Sequence, residues 1–116
     1  MIVYHKDLTQ QKWNQFSIFE QMANIGSDVF RAIKWKNKGE ERSSRLAFER
    51  ALELIDLTVE DPKNLKRLGE ILRVRECLTD YFVGDNIYKS SESSWQNYFY
   101  RFARPDRNCP GGFCRN

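Results

Sequence analysis

The sequence predicts an all-α protein, an antiparallel bundle of three long helices and one short, aromatic-rich helix. Apolar residues recur at three- and four-residue spacing in three long stretches, which is the period of an amphipathic helix. Alternation of apolar and polar residues never persists long enough to indicate a strand. We expect a helical bundle domain over residues 17–103, between an irregular or partly docked N-terminal arm (residues 1–16) and a flexible tail (residues 104–116).

The first long helix is predicted to begin after Ser17. Ser17 and Glu20 have the spacing of a capping box, in which each side chain bonds a backbone amide at the start of the helix. Gly39 is a plausible C-terminal cap for this helix. A group of basic residues precedes it, which also indicates a helix end because cations are favourable at the negative end of the helix dipole. Trp35 points well away from the apolar stripe of this helix, which indicates a partly exposed position. The stripe itself consists of Ile18, Met22, Ile25, Val29 and Ile33.

The second long helix is predicted over about residues 40–59, with a broad apolar face. Glu53 and Asp56 belong to a carboxylate edge beside that face, a pattern more typical of a solvated surface than of acid–base catalysis. Leu46 and Leu57 fall on the opposite side of the helix. Their position indicates a further contact surface.

The third long helix is predicted over about residues 62–83, because Asp61 suits the N-cap and Pro62 suits the first helical position. Arg75 projects from the centre of its apolar stripe, although arginine is almost never fully buried unless it is paired. The stripe consists of Leu65, Leu68, Ile71, Leu72, Leu78 and Phe82.

Two interpretations of Arg75 follow. Either its guanidinium meets a carboxylate inside the fold, or this face lines a cleft that binds an anionic ligand. We expect the pair, with Asp56 or Glu53 as the partner, because the second helix carries its carboxylate edge beside its apolar face. Removing one partner of a buried pair costs about 3–5 kcal/mol, so Arg75→Ala is predicted to lower the Tm by many degrees.

A shorter fourth helix is predicted after the Ser90-Ser91-Glu92 segment and before Pro105. Aromatic residues at helical spacing are more typical of a core than of a platform on which nucleic-acid bases stack. Nucleic acid is therefore not a favoured partner. The aromatic face of this helix consists of Trp95, Tyr98, Phe99 and Phe102.

Composition and motifs narrow the function classes. The chain has 116 residues and a net charge of +3, which fits one domain and does not favour nucleic-acid binding. No apolar run approaches the ~20 residues that span a bilayer, and the N-terminus lacks a signal-peptide pattern, so we expect a cytoplasmic protein with no membrane partner. His5 is the sole histidine, which argues against Ser-His or Cys-His catalysis and against an enzyme.

Cofactor and metal sites are also unsupported by the sequence. The glycines do not form a phosphate-binding loop. Cys109 and Cys114 could close a small disulfide or supply half of a zinc site, but free thiols are expected because there is no second ligand pair. We predict no cofactor and no metal.

Three stretches resemble known proteins: NIGSDVFRAIKWKNKG (24–39), ALELIDLTVEDPKN (51–64) and ILRVRECLTDYFVGDN (71–86). They resemble a group of small bacterial helical proteins without known activity, over most of residues 18–103. At the level of the fold, the chain also resembles the HEPN helical bundles. Many of these bundles are encoded beside minimal nucleotidyltransferases in toxin–antitoxin pairs.

The HEPN resemblance covers the family's ribonuclease motif only in part. That motif is an arginine followed a few residues later by a histidine. Arg75 stands at the arginine position, but Asp80 stands where the histidine would be. If ribonuclease activity persists in this chain, the resemblance implies that Arg73, Arg75 and Asp80 carry it.

The predicted function is non-enzymatic protein–protein interaction, either as a homodimer or with a nucleotidyltransferase or toxin–antitoxin partner. Leu46, Leu57 and Trp35 lie off the main stripes and are the candidates for the interface. Two alternatives are a divergent HEPN-like ribonuclease and a binder of small anionic ligands or nucleotides that uses Arg75.

Overall fold

The computed structural model describes residues 8–103, and this part of the chain is all-α, without a strand. The predicted all-α class is confirmed. The predicted tail, His5, Cys109 and Cys114 lie outside the described residues. The elements are α1 (Gln10–Asn14), α2 (Ile18–Asn37), α3 (Glu41–Val59), a 3₁₀ helix (Pro62–Arg67), α4 (Leu68–Phe82) and α5 (Glu92–Ala103).

The starts of α2 and of the 3₁₀ helix carry side-chain caps. The Ser17 hydroxyl accepts a hydrogen bond from the Glu20 amide at 3.1 Å, and the Glu20 carboxylate accepts one from the Ser17 amide at 2.9 Å. Asp61 Oδ1 accepts a hydrogen bond from the Lys63 amide at 3.1 Å, with Pro62 in the first turn. Both caps stand where the sequence predicts them, because capping depends on residues that are close in the chain.

α2 and α3 form a central antiparallel pair. Gly39 has a φ of 78° in the turn between them, a left-handed conformation that favours glycine. The Ser44 hydroxyl donates a hydrogen bond to the Ala32 carbonyl at 2.8 Å, so the start of α3 lies beside the end of α2. The two helices bury Met22, Ile25, Val29, Ala32, Ile33, Ala47, Phe48, Ala51, Leu54 and Ile55.

α4 packs against α3, whereas α5 packs against α2. The ring centroids of Phe82 and Phe48 lie 5.1 Å apart between α4 and α3. Phe99 of α5 approaches Gly26 of α2 closely, since a Cβ added to Gly26 would lie 3.0 Å from the Phe99 ring. The aromatic face of α5 belongs to the core, as predicted, through Trp95, Phe99 and Phe102.

The arm over residues 1–16, predicted to be irregular or partly docked, contains helix α1 in its described part. The Thr9 hydroxyl accepts a hydrogen bond from the Lys12 amide at 3.1 Å and so caps this helix. Trp13 is only 2% exposed, and its indole N–H donates a hydrogen bond to the Thr58 hydroxyl at 2.9 Å. This part of the arm is therefore packed on the bundle. A five-residue helix is too short to show an apolar period.

The apolar stripe predicted for the third long helix differs from the buried face in the structure. Residues 62–67 form a 3₁₀ helix, whose tighter turn breaks the α-helical phase before α4 begins. Leu65 is 72% exposed and Leu72 is also exposed. Within α4, Arg75 lies at the edge of the buried face and not at its centre, because Val74 is buried and Leu72 is not. That face consists of Ile71, Val74 and Leu78.

Candidate functional site

A buried polar cluster joins α1, α2, the end of α3 and the 3₁₀ helix. The Gln21 amide nitrogen donates hydrogen bonds to the Trp13 carbonyl at 2.9 Å and to Asp61 Oδ2 at 2.8 Å. The Asn64 amide nitrogen donates to Gln21 Oε1 at 2.9 Å and to the Thr58 carbonyl at 3.0 Å. Because these polar groups satisfy one another, the cluster holds the fold together and does not offer a ligand site.

Lys63 completes this cluster at its solvent-facing side. Its ammonium pairs with the Asp61 carboxylate and donates a hydrogen bond to the Asn14 carbonyl at 2.9 Å. Burial acts to raise the pKa of Asp61, but hydrogen bonds from Lys63 and Gln21 and the charge of Lys63 together hold this pKa below its usual value of 3.8. Asp61 is therefore ionised at neutral pH.

The predicted binding residue Arg75 meets Asp56 at the protein surface. Arg75 Nε donates a hydrogen bond to Asp56 Oδ1 at 2.9 Å. The two side chains are 40% and 47% exposed, so the expectation of a pair inside the fold is wrong. Glu53, the other predicted partner, lies about one turn earlier on α3 and is half-buried.

We expect Arg75→Ala to lower the free energy of unfolding by less than about 1 kcal/mol, because exposed ion pairs contribute little to stability. Urea denaturation of the purified protein would measure the change. Asp56→Ala is the matched variant and should give a similarly small loss. A loss of several kcal/mol from either substitution would contradict the solvated placement of the pair.

The three residues implied by the HEPN resemblance have different partners. The Arg73 guanidinium lies 5.5 Å from the centroid of the Tyr88 ring, whereas Arg75 is directed to α3. The Asp80 carboxylate accepts hydrogen bonds from the amides of Ile87 and Tyr88 at 2.8 and 3.0 Å. Asp80 thus holds the loop that follows α4, and both of its oxygens are occupied in doing so.

Glu70 links α4 to α5. The Tyr98 hydroxyl donates a hydrogen bond to Glu70 Oε2 at 2.6 Å, and the Arg101 guanidinium lies 3.7 Å from the same oxygen. Burial, together with the hydrogen bond to Glu70 and its negative charge, raises the pKa of Tyr98 well above the usual tyrosine value. Tyr98 therefore stays protonated and serves as a structural hydrogen-bond donor.

A groove of about 380 Å³ between α2 and α3 gathers exposed apolar and basic side chains. Leu46 is 44% exposed and Trp35 is half-buried, so apolar surface from both residues faces the solvent. The Lys38 ammonium lies 5.5 Å from the centroid of the Trp35 ring at the rim. The lining consists of Arg31, Trp35, Ser43, Leu46, Ala47 and Arg50.

Asp28 is buried between the two arginines of this groove. The Arg31 guanidinium pairs with the Asp28 carboxylate, and Arg50 Nε lies 3.7 Å from it. Within residues 8–103, the buried Nε of Arg50 has no hydrogen-bond partner. The side chains of Asp28, Arg31, Arg50 and Lys38 together carry a net positive charge. The groove can therefore accept a carboxylate beside an apolar side chain.

Sequence reasoning identified only part of this groove. Trp35 and Leu46 lie in it together, whereas Leu57 packs against the core and its carbonyl accepts a hydrogen bond from Gln10 at 2.8 Å. Arg50 was not among the residues predicted to form an interface. The signal that identifies Arg50 is its i,i+4 spacing from Leu46, which places both side chains on one face of α3.

Within residues 8–103, no three histidine, cysteine, aspartate or glutamate side chains are placed to hold a metal ion together. Every helix in the same stretch is too short or too polar to cross a membrane. Comparison with protein-family models, curated proteins and solved structures gives no match to this chain. Function is therefore inferred from the surface of the molecule itself.

Proposed function

We propose that this chain, an antiparallel bundle of three long helices and one short helix, is a non-enzymatic cytoplasmic protein that binds another protein through the α2–α3 groove. The partner segment presents an apolar side chain to Trp35 and Leu46 and carboxylates to Arg31 and Arg50. A minimal nucleotidyltransferase, the partner that the HEPN resemblance implies, is one protein that could supply such a segment.

The observation that carries this proposal is the position of the exposed Leu46 and the half-buried Trp35 in one groove beside two guanidinium groups. Tryptophan and arginine are the residue types most enriched at the energetic centres of protein interfaces. The Arg50 side chain is 39% exposed, so its guanidinium could meet a carboxylate of the partner, whereas its Nε is buried beside Asp28. Hydrogen bonds between ionised groups are stronger than neutral ones.

A small anionic ligand is the second candidate, favoured by the same pair of arginines. The anion would then contact Arg31 and Arg50 and not Arg75, which is engaged with Asp56. The divergent ribonuclease has less support, because Asp80 is engaged with backbone amides.

A photoreactive phenylalanine analogue at position 35 tests the proposal in cells that produce the protein. This analogue retains an aromatic ring in the groove, so irradiation should couple the chain to one partner protein. Leu46→Glu in the same chain should reduce the coupled product by about tenfold or more. The introduced carboxylate would repel an acidic partner and remove an apolar contact.

Leu65→Glu is the matched control, because Leu65 is exposed on the 3₁₀ helix and does not line the groove. It should leave the yield of coupled product unchanged. Equal yields from the two variants, or irradiation without a coupled protein, would reject the protein-binding function. If coupling fails but calorimetry detects binding of ATP that Arg31→Ala abolishes, the anionic-ligand function replaces it.

A further inference from the structure

A second groove, of about 560 Å³, lies between α2 and α5. All eight residues that line it in the described chain are uncharged, although 30% of the sequence is charged. Its α2 side is made of the small residues Ala23, Gly26 and Ser27. The rings of Phe30 and Tyr100 also line it, and both are exposed to solvent.

The exposed edge of α2 beside this groove has charges of opposite sign at its two ends. Glu20, Ser27 and Lys34 are spaced by seven residues, so they lie on one stripe of the helix, and all three are exposed. The helical rise places Glu20 and Lys34 about 10 Å on either side of Ser27. A carboxylate and an ammonium are thus arranged symmetrically about a small central residue.

We propose that a second copy of this chain docks on the α2–α5 groove, with a two-fold axis beside Ser27. The two α2 helices then run antiparallel, so Glu20 of each copy meets Lys34 of the other. The same symmetry places the exposed ring of Phe30 opposite Ala23 of the second copy. One patch supplies both the projecting ring and the space that receives it, which is the requirement of an isologous dimer.

The charge pattern favours a second copy over an unrelated protein. Two chains that each carry a net charge of +3 repel one another, so their association requires an uncharged centre and complementary charges at the ends. The α2–α5 groove supplies the uncharged centre of the interface, and Glu20 and Lys34 supply the complementary charges at its ends. This interface does not depend on the α2–α3 groove, whose Trp35 and Leu46 take no part in it.

Sedimentation equilibrium of the full chain, from micromolar to submillimolar concentration, tests this dimer. The wild-type protein should associate to a dimer. Ser27→Arg places two positive charges at the axis and should weaken association by about 100-fold or more. Leu65→Arg adds the same charge at an exposed site outside the groove and should leave the dissociation constant unchanged.

A charge exchange tests the proposed register. Lys34→Glu alone should weaken the dimer, because it sets two carboxylates against each other at both ends of the interface. Adding Glu20→Lys, which also removes the Glu20 half of the α2 capping box, should restore the dissociation constant to within about tenfold of the wild-type value, provided that circular dichroism shows the helix content unchanged. A wild-type chain that stays monomeric, or a dimer that Ser27→Arg leaves intact, overturns the proposal. A dimer lost in Leu46→Glu but retained in Ser27→Arg assigns self-association to the α2–α3 groove.

Discussion

Replacing Trp13 with alanine is expected to lower the free energy of unfolding by about 3–5 kcal/mol, the usual cost of truncating a buried aromatic side chain. Trp13 is 2% exposed, and its ring contacts Phe16 edge-on with centroids 5.5 Å apart. The substitution also removes the N–H that donates to Thr58. Guanidinium denaturation followed by circular dichroism would measure the loss.

Trp35→Ala is the matched control for this experiment, since it removes the same side chain from a half-buried position in the α2–α3 groove. Its cost should be smaller than that of Trp13→Ala by about 2 kcal/mol or more, because less apolar surface returns to water. Equal losses from the two substitutions would show that α1 is not packed on the bundle as described.

The helical elements with strong local signals could be predicted from the sequence. The start of α2 depends on Ser17 and Glu20, three residues apart, and that of the 3₁₀ helix depends on Asp61 and its neighbours. α1 could not be predicted in this way. It is stabilised by contacts with Thr58 and Leu57, which are more than forty residues away in the chain.

The depth of Arg75 could not be predicted for a related reason. A helical wheel assumes one period throughout, whereas the 3₁₀ helix uses a different period up to Arg67. The wheel therefore made Leu65 part of the buried face. It also counted Leu72, which is exposed, and left out Val74, which is buried, and so moved the centre of the face to Arg75. Its pairing with Asp56 depends only on α3 and α4 being neighbours, and the structure does bring these two side chains together.

The sequence allowed individual residues of the α2–α3 groove to be predicted, but not the groove that they form together. Trp35 and Leu46 stand out because each departs from the apolar stripe of its own helix. Their proximity depends on how α2 and α3 pack, which a single-helix pattern does not contain. Asp28 gives even less signal, because a carboxylate within an amphipathic helix does not reveal that it is buried between Arg31 and Arg50.

Replacing Asp61 with alanine is expected to lower the free energy of unfolding by about 2–3 kcal/mol. The buried amide of Gln21 would lose a hydrogen-bond acceptor, and the 3₁₀ helix would lose its N-cap. The full cost of breaking a buried ion pair does not apply, because the Lys63 side chain is partly exposed and can be solvated. Thermal and urea denaturation would measure the loss, with Asp85→Ala in the exposed loop after α4 as the control.

The contribution of Asp61 is also expected to depend on pH, with a direction set by its lowered pKa. Because the folded-state pKa lies below the unfolded value of 3.8, the stabilisation by the charged carboxylate is complete above that value. It is lost as the pH falls through the folded-state pKa, where the proton neutralises the group that Lys63 and Gln21 bind. The stability difference between the wild type and Asp61→Asn, which has a similar shape without the charge, should therefore shrink as the pH falls from 7 to below 3.8. Other carboxylates titrate in both proteins, so their contributions to the free energy of unfolding cancel in this comparison. A stability difference that stays constant with pH would show that the charge of Asp61 does not stabilise the fold.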